Sequence, residues 1–486
     1  MAGLLVAGTT SDAGKSVVTT GLCRALAARG VAVAPYKAQN MSNNSMVVAH
    51  PDGGTAEIGR AQWVQALAAR VEPEPAMNPV LLKPGGERRS HVVVLGRPAG
   101  EVSSREWSTG RAHLARAAHA AYDDLAARHD VVVAEGAGSP AEINLRAGDY
   151  VNMGLARHAD LPTVVVGDID RGGVLAAFLG TVALLAPEDQ ALVAGFVVNK
   201  FRGDLGLLRP GLEQLVGATG RRTFGVLPYS SDLWLDSEDA LDLEGRRAGA
   251  GAAGATAARV VVVRLPRISN LTDVDALGLE PGLDVVFAST PQGLSDADLV
   301  VLPGTRATLA DLAWLRERGL DTALRTHARA GRPLLGICGG AQMLGRRIRD
   351  PQGVEGPAGA DVEGLGLLDA VTDFTPDKVL RLHAPAGYEI HHGRLEGERE
   401  AGAVTATMVH GALEDDAHRA AYLARALGVA SSVSFPAARE RRLDLLGELV
   451  ETHLDVDALL ALALDGAPAG LPFLPPGAPR APGDQR

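Results

Sequence analysis

The stretch RPLLGICGGAQMLG, residues 332–345, decides how the fold is read. Residues 333–337 are apolar and short, bounded by Gly331 before and by Gly339 and Gly340 after, which predicts a buried strand. Residues 341–349 have helical character. Cys338 therefore stands at a strand-to-helix turn, with Gly336 two residues before it and Gly340 two residues after. This is the pattern of a nucleophile elbow with sulfur in place of oxygen. The glycines permit a turn sharp enough to lift the side chain above the sheet. The backbone N–H groups that follow favour negative charge, which lowers a thiol pKa and stabilises an oxyanion. A lone cysteine is more often a buried structural residue, but a core cysteine has no need of flanking glycines.

Working outward, residues 259–265, 283–289 and 298–303 are apolar runs that precede the elbow and continue an α/β series. The segment DLVVLPGT, residues 298–305, reads as a strand running into a glycine loop at Gly304. A thiolate nucleophile needs a base or an ion-pair partner. The histidines of this half are His327, His383, His391, His392, His410, His418 and His453. His410, in ATMVHGALEDD, follows an apolar run and precedes Gly411, so a strand end is expected there. His391 and His392, in GYEIHHG, form a second candidate pair, and spacing alone does not separate the two.

The N-terminal half opens with an apolar run over residues 3–8, then GTTSDAGKS, then helical spacing at Val18, Leu22 and Leu26 with Gly30 as the expected cap. Strand, glycine-rich loop and helix are the context of a phosphate-binding loop. Gly8, Thr10 and Gly14 would cradle phosphates, Lys15 would neutralise them, and Ser16 would ligate Mg²⁺. Five residues separate Gly8 from Gly14, where the common form has four. Residues 31–36 predict a second strand, which empties into the polar run KAQNMSNNS with Lys37, Gln39 and Asn40. Polar residues at strand ends of an open α/β sheet face its ligand crevice. Further apolar strands end in Glu135 (residues 130–134), in Asp168 and Asp170 (residues 161–167), and in NKFRGD (residues 193–198). Glu135 is placed to hold Mg²⁺, directly or through water. Such unbroken apolar strands alternating with helices predict a mostly parallel sheet covered on both faces.

At 486 residues with 46% hydrophobic content, the chain is expected to hold more than one domain. The expected division is an N-terminal domain over 1–244, a glycine- and alanine-rich linker over 245–258, a second domain over 259–465 and a disordered proline-rich tail over 466–486. Cys23 and Cys338 are the two cysteines, far apart, which argues against a disulfide framework and for a reducing cytoplasm. Cys23 lies on the packed side of a predicted helix. A net charge of −11 without a basic run gives no support for nucleic-acid binding. No apolar run is long enough to predict a membrane span, and the N-terminus lacks the basic region of a signal peptide.

Both halves together resemble the cobyric acid synthase family, glutamine-hydrolysing amidotransferases of cobalamin biosynthesis. The resemblance rests on GTTSDAGKS, PYKAQNMSNNS, MNPVLLKP, EGAGSPAEINL, VGDIDRGG, NKFRGD, PGTRATLADLAWL, GICGGAQMLG and YEIHHG, from about residue 3 to 460. It implies an N-terminal P-loop ATPase domain similar to dethiobiotin synthetase and a C-terminal class I glutamine amidotransferase domain. It implies ATP and Mg²⁺ as cofactors, and glutamine and adenosylcobyrinic a,c-diamide as substrates. Cys338 and His410 match the family's catalytic pair, and Gly304 and Gly339 fall where oxyanion donors are expected. Where the wider class carries a Glu two residues after the histidine, this chain has Ala412, so a Cys–His dyad is implied and the group orienting His410 stays open. A cobyrinic acid a,c-diamide synthase, or a nucleotide switch with an inert amidotransferase domain, are the alternative readings.

Overall fold

The computed structural model describes residues 2–84, 89–103, 111–230 and 258–478. Within these the chain forms two compact units, the first drawn from residues 2–42, 48–230 and 440–478, the second from 43–47 and 258–439.

The first unit is built on a six-stranded sheet. Its strands are β1 (Gly3–Gly8), β2 (Val33–Tyr36), β3 (Val131–Glu135), β4 (Thr163–Asp168), β5 (Val193–Phe201) and β6 (Arg222–Pro228), in the order β6-β5-β4-β1-β3-β2 and parallel throughout. The runs VVVA and TVVV are buried at every position. Strands without polar alternation are stable only when both faces are covered, so helices pack on each side. Helix α1 (Lys15–Ala28) follows β1 directly, and it covers one face with Val18, Leu22, Cys23 and Leu26. Burial pushes the Cys23 thiol pKa up, and the side chain behaves as the small hydrophobe expected of it. Phosphate loop, Glu135 and Asp168 all lie at the carboxyl ends of the three neighbouring strands β3, β1 and β4.

The second unit carries a second sheet, with β7 (Ala258–Val263), β8 (Leu283–Ala288), β9 (Leu299–Leu302), β10 (Leu334–Ile337), β13 (Glu400–Ala401) and β14 (Val404–Thr407). Their order is β8-β7-β9-β10-β14-β13, parallel except for the edge pair β14–β13. Between β10 and β14 in sequence lies an antiparallel pair, β11 (Ala370–Leu382) and β12 (Tyr388–Gly397). Helix α2 (Thr308–Glu317) follows β9, and α3 (Gly339–Leu344) follows β10.

The C-terminal region departs from the expected division. The second unit closes at Arg439, and the segment from Glu440 onward packs with the first. Helix α4 (Phe435–His453) contributes Leu443, Leu446 and Val450 to the core around α1, and α5 (Val456–Asp465) adds Leu459 and Leu462. Residues 466–478 are also ordered, in contrast to the disorder their composition suggests. The Leu474 N–H donates to Gln190 Oε1 at 2.8 Å, and the buried Arg221 guanidinium donates to Pro472 O at 3.0 Å. Specific backbone hydrogen bonds to buried side chains hold a proline- and glycine-rich segment that forms no helix or strand of its own. The linker expected over 245–258 lies outside the described residues except for Ala258, which opens β7; residues 479–486 of the tail lie outside them too.

Candidate active site

Four strands of the second sheet, β7, β9, β10 and β14, are consecutive neighbours, and each delivers one group at its carboxyl end. Strand β10 delivers Cys338. This residue has φ 49° and ψ −109°, a left-handed conformation that costs a non-glycine residue about 1–3 kcal/mol and that clusters at functional sites. The surrounding packing sustains it. The Cys338 N–H donates to Thr407 O of β14 at 2.8 Å. Any side chain at Gly340 would lie 1.9 Å from Leu302 O, so the elbow is pressed against β9 with no room for a methyl group.

Strand β14 ends at Thr407, and His410 follows, 1% exposed. Its imidazole hydrogen-bonds the Cys338 side chain. Its Nδ1–H donates to Asp273 Oδ2 at 2.7 Å, and the same carboxylate accepts the Gly411 N–H at 2.8 Å. Asp273 lies in the short turn that follows β7, just after Asn270, whose φ is 50°. Burial opposes charge on the imidazole, but the Asp273 carboxylate, the Cys338 sulfur and hydrogen bonds to both outweigh it, and the pKa of His410 rises to about 10. Strand β9 delivers Gly304. A Cβ there would lie 3.1 Å from His410 Cε1, so the Gly304 backbone borders the imidazole directly. Gly339 is the first residue of α3, where a helix leaves its backbone N–H groups without intrahelical acceptors.

The alternative pair bonds to other partners, although His391 lies within electrostatic range of His410. His391 Nε2 is 2.9 Å from Glu389 Oε2, and His392 Nδ1 is 3.2 Å from Thr375 O. Burial lowers the pKa of His391, although Glu389 acts to raise it.

In the first unit, Lys15 Nζ donates to Thr10 O at 2.9 Å, Ser11 O at 3.0 Å and Gly138 O at 3.3 Å. Gly14 has φ 97°, a value glycine adopts without strain. Glu135 is the convergence point. Its Oε1 accepts the Ser16 hydroxyl at 2.9 Å and the Lys37 ammonium at 3.0 Å, and its Oε2 accepts Gln65 Nε2 at 2.5 Å. Burial raises its pKa, but Lys37 and Lys15 together hold it below the ordinary carboxylate range. Asp168 Oδ2 pairs with Lys200 Nζ at 2.8 Å, and Lys200 also donates to Asp12 O of the phosphate loop at 3.1 Å. Asp170 faces Arg202 at 3.1 Å. Gln39 accepts the Tyr150 hydroxyl at 2.6 Å, and Asn40 donates to Gln62 at 3.0 Å. Gly8, Lys15, Ser16, Lys37 and Glu135 are thus brought together, while Gln39, Asn40 and Asp170 each bond to other neighbours.

Sequence reasoning missed Asp273 and Gln65. Asp273 could have been sought as a polar residue in the loop after an apolar strand. Gln65 had no such signal, because it reaches Glu135 from within a helix (Arg60–Ala68).

A parallel-sheet unit with a phosphate loop, joined in one chain to a unit with a cysteine elbow and a buried His–Asp pair, defines a nucleotide-binding glutamine amidotransferase. Residues 4–242 match the CobQ/CobB/MinD/ParA nucleotide binding domain, and residues 259–428 match the CobB/CobQ-like glutamine amidotransferase domain. Similar proteins named cobyric acid synthase come from Mycolicibacterium gilvum, 73% identical, and Mycolicibacterium vanbaalenii, 70% identical, each covering 99% of this chain and 100% of the relative. Another, from Mycobacterium tuberculosis H37Rv, is 72% identical with the same coverage. The chain belongs to the cobyric acid synthase family, and it is a glutamine-dependent, ATP-using ligase. Among the described residues, no helix is long and apolar enough to cross a membrane.

Proposed function

We propose that this enzyme amidates side chains b, d, e and g of adenosylcobyrinic a,c-diamide, with ammonia released from glutamine and one ATP used per amide, in the cytoplasm. The observation that carries the division of labour is the hydrogen bond between Cys338 and His410 at the elbow, in a unit separate from the phosphate loop.

In the glutaminase half, His410 Nε2 already holds the proton taken from the thiol, because Nδ1 is committed to Asp273. The Cys338 thiolate attacks the glutamine amide carbon and forms a tetrahedral oxyanion. The N–H groups of Gly304 and Gly339 would donate hydrogen bonds to that oxygen. The imidazolium returns its proton to the leaving nitrogen, the C–N bond breaks, and ammonia departs from a thioester. Water activated by His410 then releases glutamate. Asp273 stabilises the imidazolium and fixes its tautomer.

In the synthetase half, ATP and Mg²⁺ fit the residues present. The Ser16 hydroxyl and Glu135 offer the hard oxygen donors that Mg²⁺ prefers, and Lys15 and Thr10 border the loop that would hold the phosphates. When bound, these cofactors supply the phosphoryl group that makes a substrate carboxylate reactive toward ammonia. Lys15 and Lys37 neutralise charge beside that transfer, and Gln65 holds Glu135 in place. Asp168 fixes Lys200 against the loop.

Mass spectrometry of adenosylcobyrinic a,c-diamide incubated with enzyme, glutamine and MgATP tests the assignment. Four new amides with four ATP consumed are expected. Only two new amides would reject the assignment, and reaction with cobyrinic acid alone would point to the a,c-diamide synthase type.

A further inference from the structure

Residues 43–47 belong to the second unit although Ser42 before them and Val48 after them belong to the first. This short segment is buried, with Asn44 4% and Ser45 1% exposed. Its contacts are to the elements that hold His410. The Ser45 N–H donates to Asn270 Oδ1 at 3.0 Å, and Asn44 Oδ1 accepts the Leu271 N–H at 3.3 Å. Asn270 and Leu271 open the turn that presents Asp273. On the other side, the Tyr388 hydroxyl donates to Ser45 O at 2.9 Å. The Tyr388 ring stacks on the His410 imidazole, with centroids 5.4 Å apart and planes at 26°. The backbones of Tyr388 and His410 exchange two hydrogen bonds, at 2.9 and 2.8 Å. The segment therefore grips the Asp273 turn with one edge and the ring beside His410 with the other.

We infer that Asn44, Ser45 and Tyr388 are positioning residues for glutamine hydrolysis: the segment 43–47, supplied from the sequence of the nucleotide-binding half, sets the alignment of His410 between Asp273 and Cys338. The inference rests on the reading of Cys338 and His410 as the glutaminase pair. None of the three positioning residues is assigned a contact with glutamine. They act through the geometry of an imidazole that must face sulfur on one side and carboxylate on the other, and a displacement near 1 Å at such a group costs up to about 10²-fold in rate.

Tyr388→Phe keeps the stacked ring and removes the hydroxyl that reaches Ser45. Asn44→Ala removes the acceptor for Leu271 N–H, and Asn44→Asp restores it. Steady-state glutamine hydrolysis is measured against pH for these variants, with Cys338→Ala alongside. Tyr388→Phe and Asn44→Ala are expected to lower kcat roughly ten- to hundredfold with the KM for glutamine within about twofold, and to move the alkaline limb of the profile to lower pH. Asn44→Asp is expected to recover both. The alkaline shift distinguishes positioning of His410 from a general loosening of the fold, which would lower kcat without moving the limb. Wild-type kcat and an unmoved limb in both Tyr388→Phe and Asn44→Ala, with Cys338→Ala inactive, would overturn the inference alone. Undiminished hydrolysis by Cys338→Ala would overturn the underlying reading instead.

Discussion

Asp273 decides what His410 can do. With its carboxylate in place the imidazole pKa stands at about 10, far above the ordinary value near 6.5. Because the folded value is raised, the charged pair's contribution to stability is fully present below pH 6.5 and is lost as pH climbs through about 10. Under the proposed mechanism the same titration bounds the activity, since a deprotonated His410 cannot give a proton to leaving ammonia. Asp273→Asn is expected to lower glutamine-dependent turnover by about 10³- to 10⁴-fold, to bring the alkaline limb down toward the ordinary imidazole range, and to leave amidation driven by ammonium chloride in place. Paired rates with the two nitrogen sources check this; a wild-type glutamine rate would show that another group orients the imidazole. Cys338 and Lys15 stood out in the sequence because glycines beside apolar runs mark strand ends, and strand ends of a parallel sheet share one edge; His410 was separated from His391 and His392 only by the family resemblance. Asp273 was not legible, because its partner lies 137 residues further along the chain. A local pattern carries no information about which of many strand-end carboxylates will face a given histidine.

Elements show the same division between what is local and what is not. The parallel strands were readable from runs such as VVVA and VVVV, whose lack of alternation demands two covered faces. The helices that do the covering were readable as helices, but their partners were not. Helix α1 meets α4 at two glycines. A Cβ on Gly21 would lie 2.4 Å from Val450 Cγ2 and 2.7 Å from Leu446 O, and one on Gly447 would lie 2.7 Å from Arg24 Cγ. The contact is fastened at its rim, where buried Arg24 donates to Asp444 at 2.6 Å and also pairs with Glu440. Both glycines sit inside helices, where glycine costs about 1 kcal/mol relative to alanine, and the close approach they permit offsets that cost. Gly21→Val is therefore expected to destabilise the protein by about 1–3 kcal/mol through overpacking, although valine has the better helix propensity. Thermal unfolding monitored by circular dichroism checks the sign; a raised Tm would mean that the helices are free to separate.

The molecule as a whole is two α/β units whose boundaries do not follow the order of the chain. The composition of residues 466–478 suggested a loose tail, yet Gln190 and Arg221 bind its backbone; proline-rich segments lack the periodicity by which packing is read, so burial there left no trace in the sequence. A chain ended after Arg439 keeps the elbow, His410 and Asp273 but strips Leu443, Leu446, Val450, Leu459 and Leu462 from the core around α1. Removing that much apolar cover exceeds the margin of a domain stable by about 5–15 kcal/mol. Such a chain is expected to aggregate and to lose ATP-dependent amidation with either nitrogen source; a soluble product that still amidates with ammonia would refute the structural role of α4 and α5. The return of α4 to α1 also sets a timetable for synthesis. A ribosome adding about 5–20 residues per second exposes the apolar face of α1 long before it makes the helix that covers it. For about 20 to 80 seconds at such rates, the outer side of α1 lacks its cover, and chaperones that shield apolar surface have that interval in which to act.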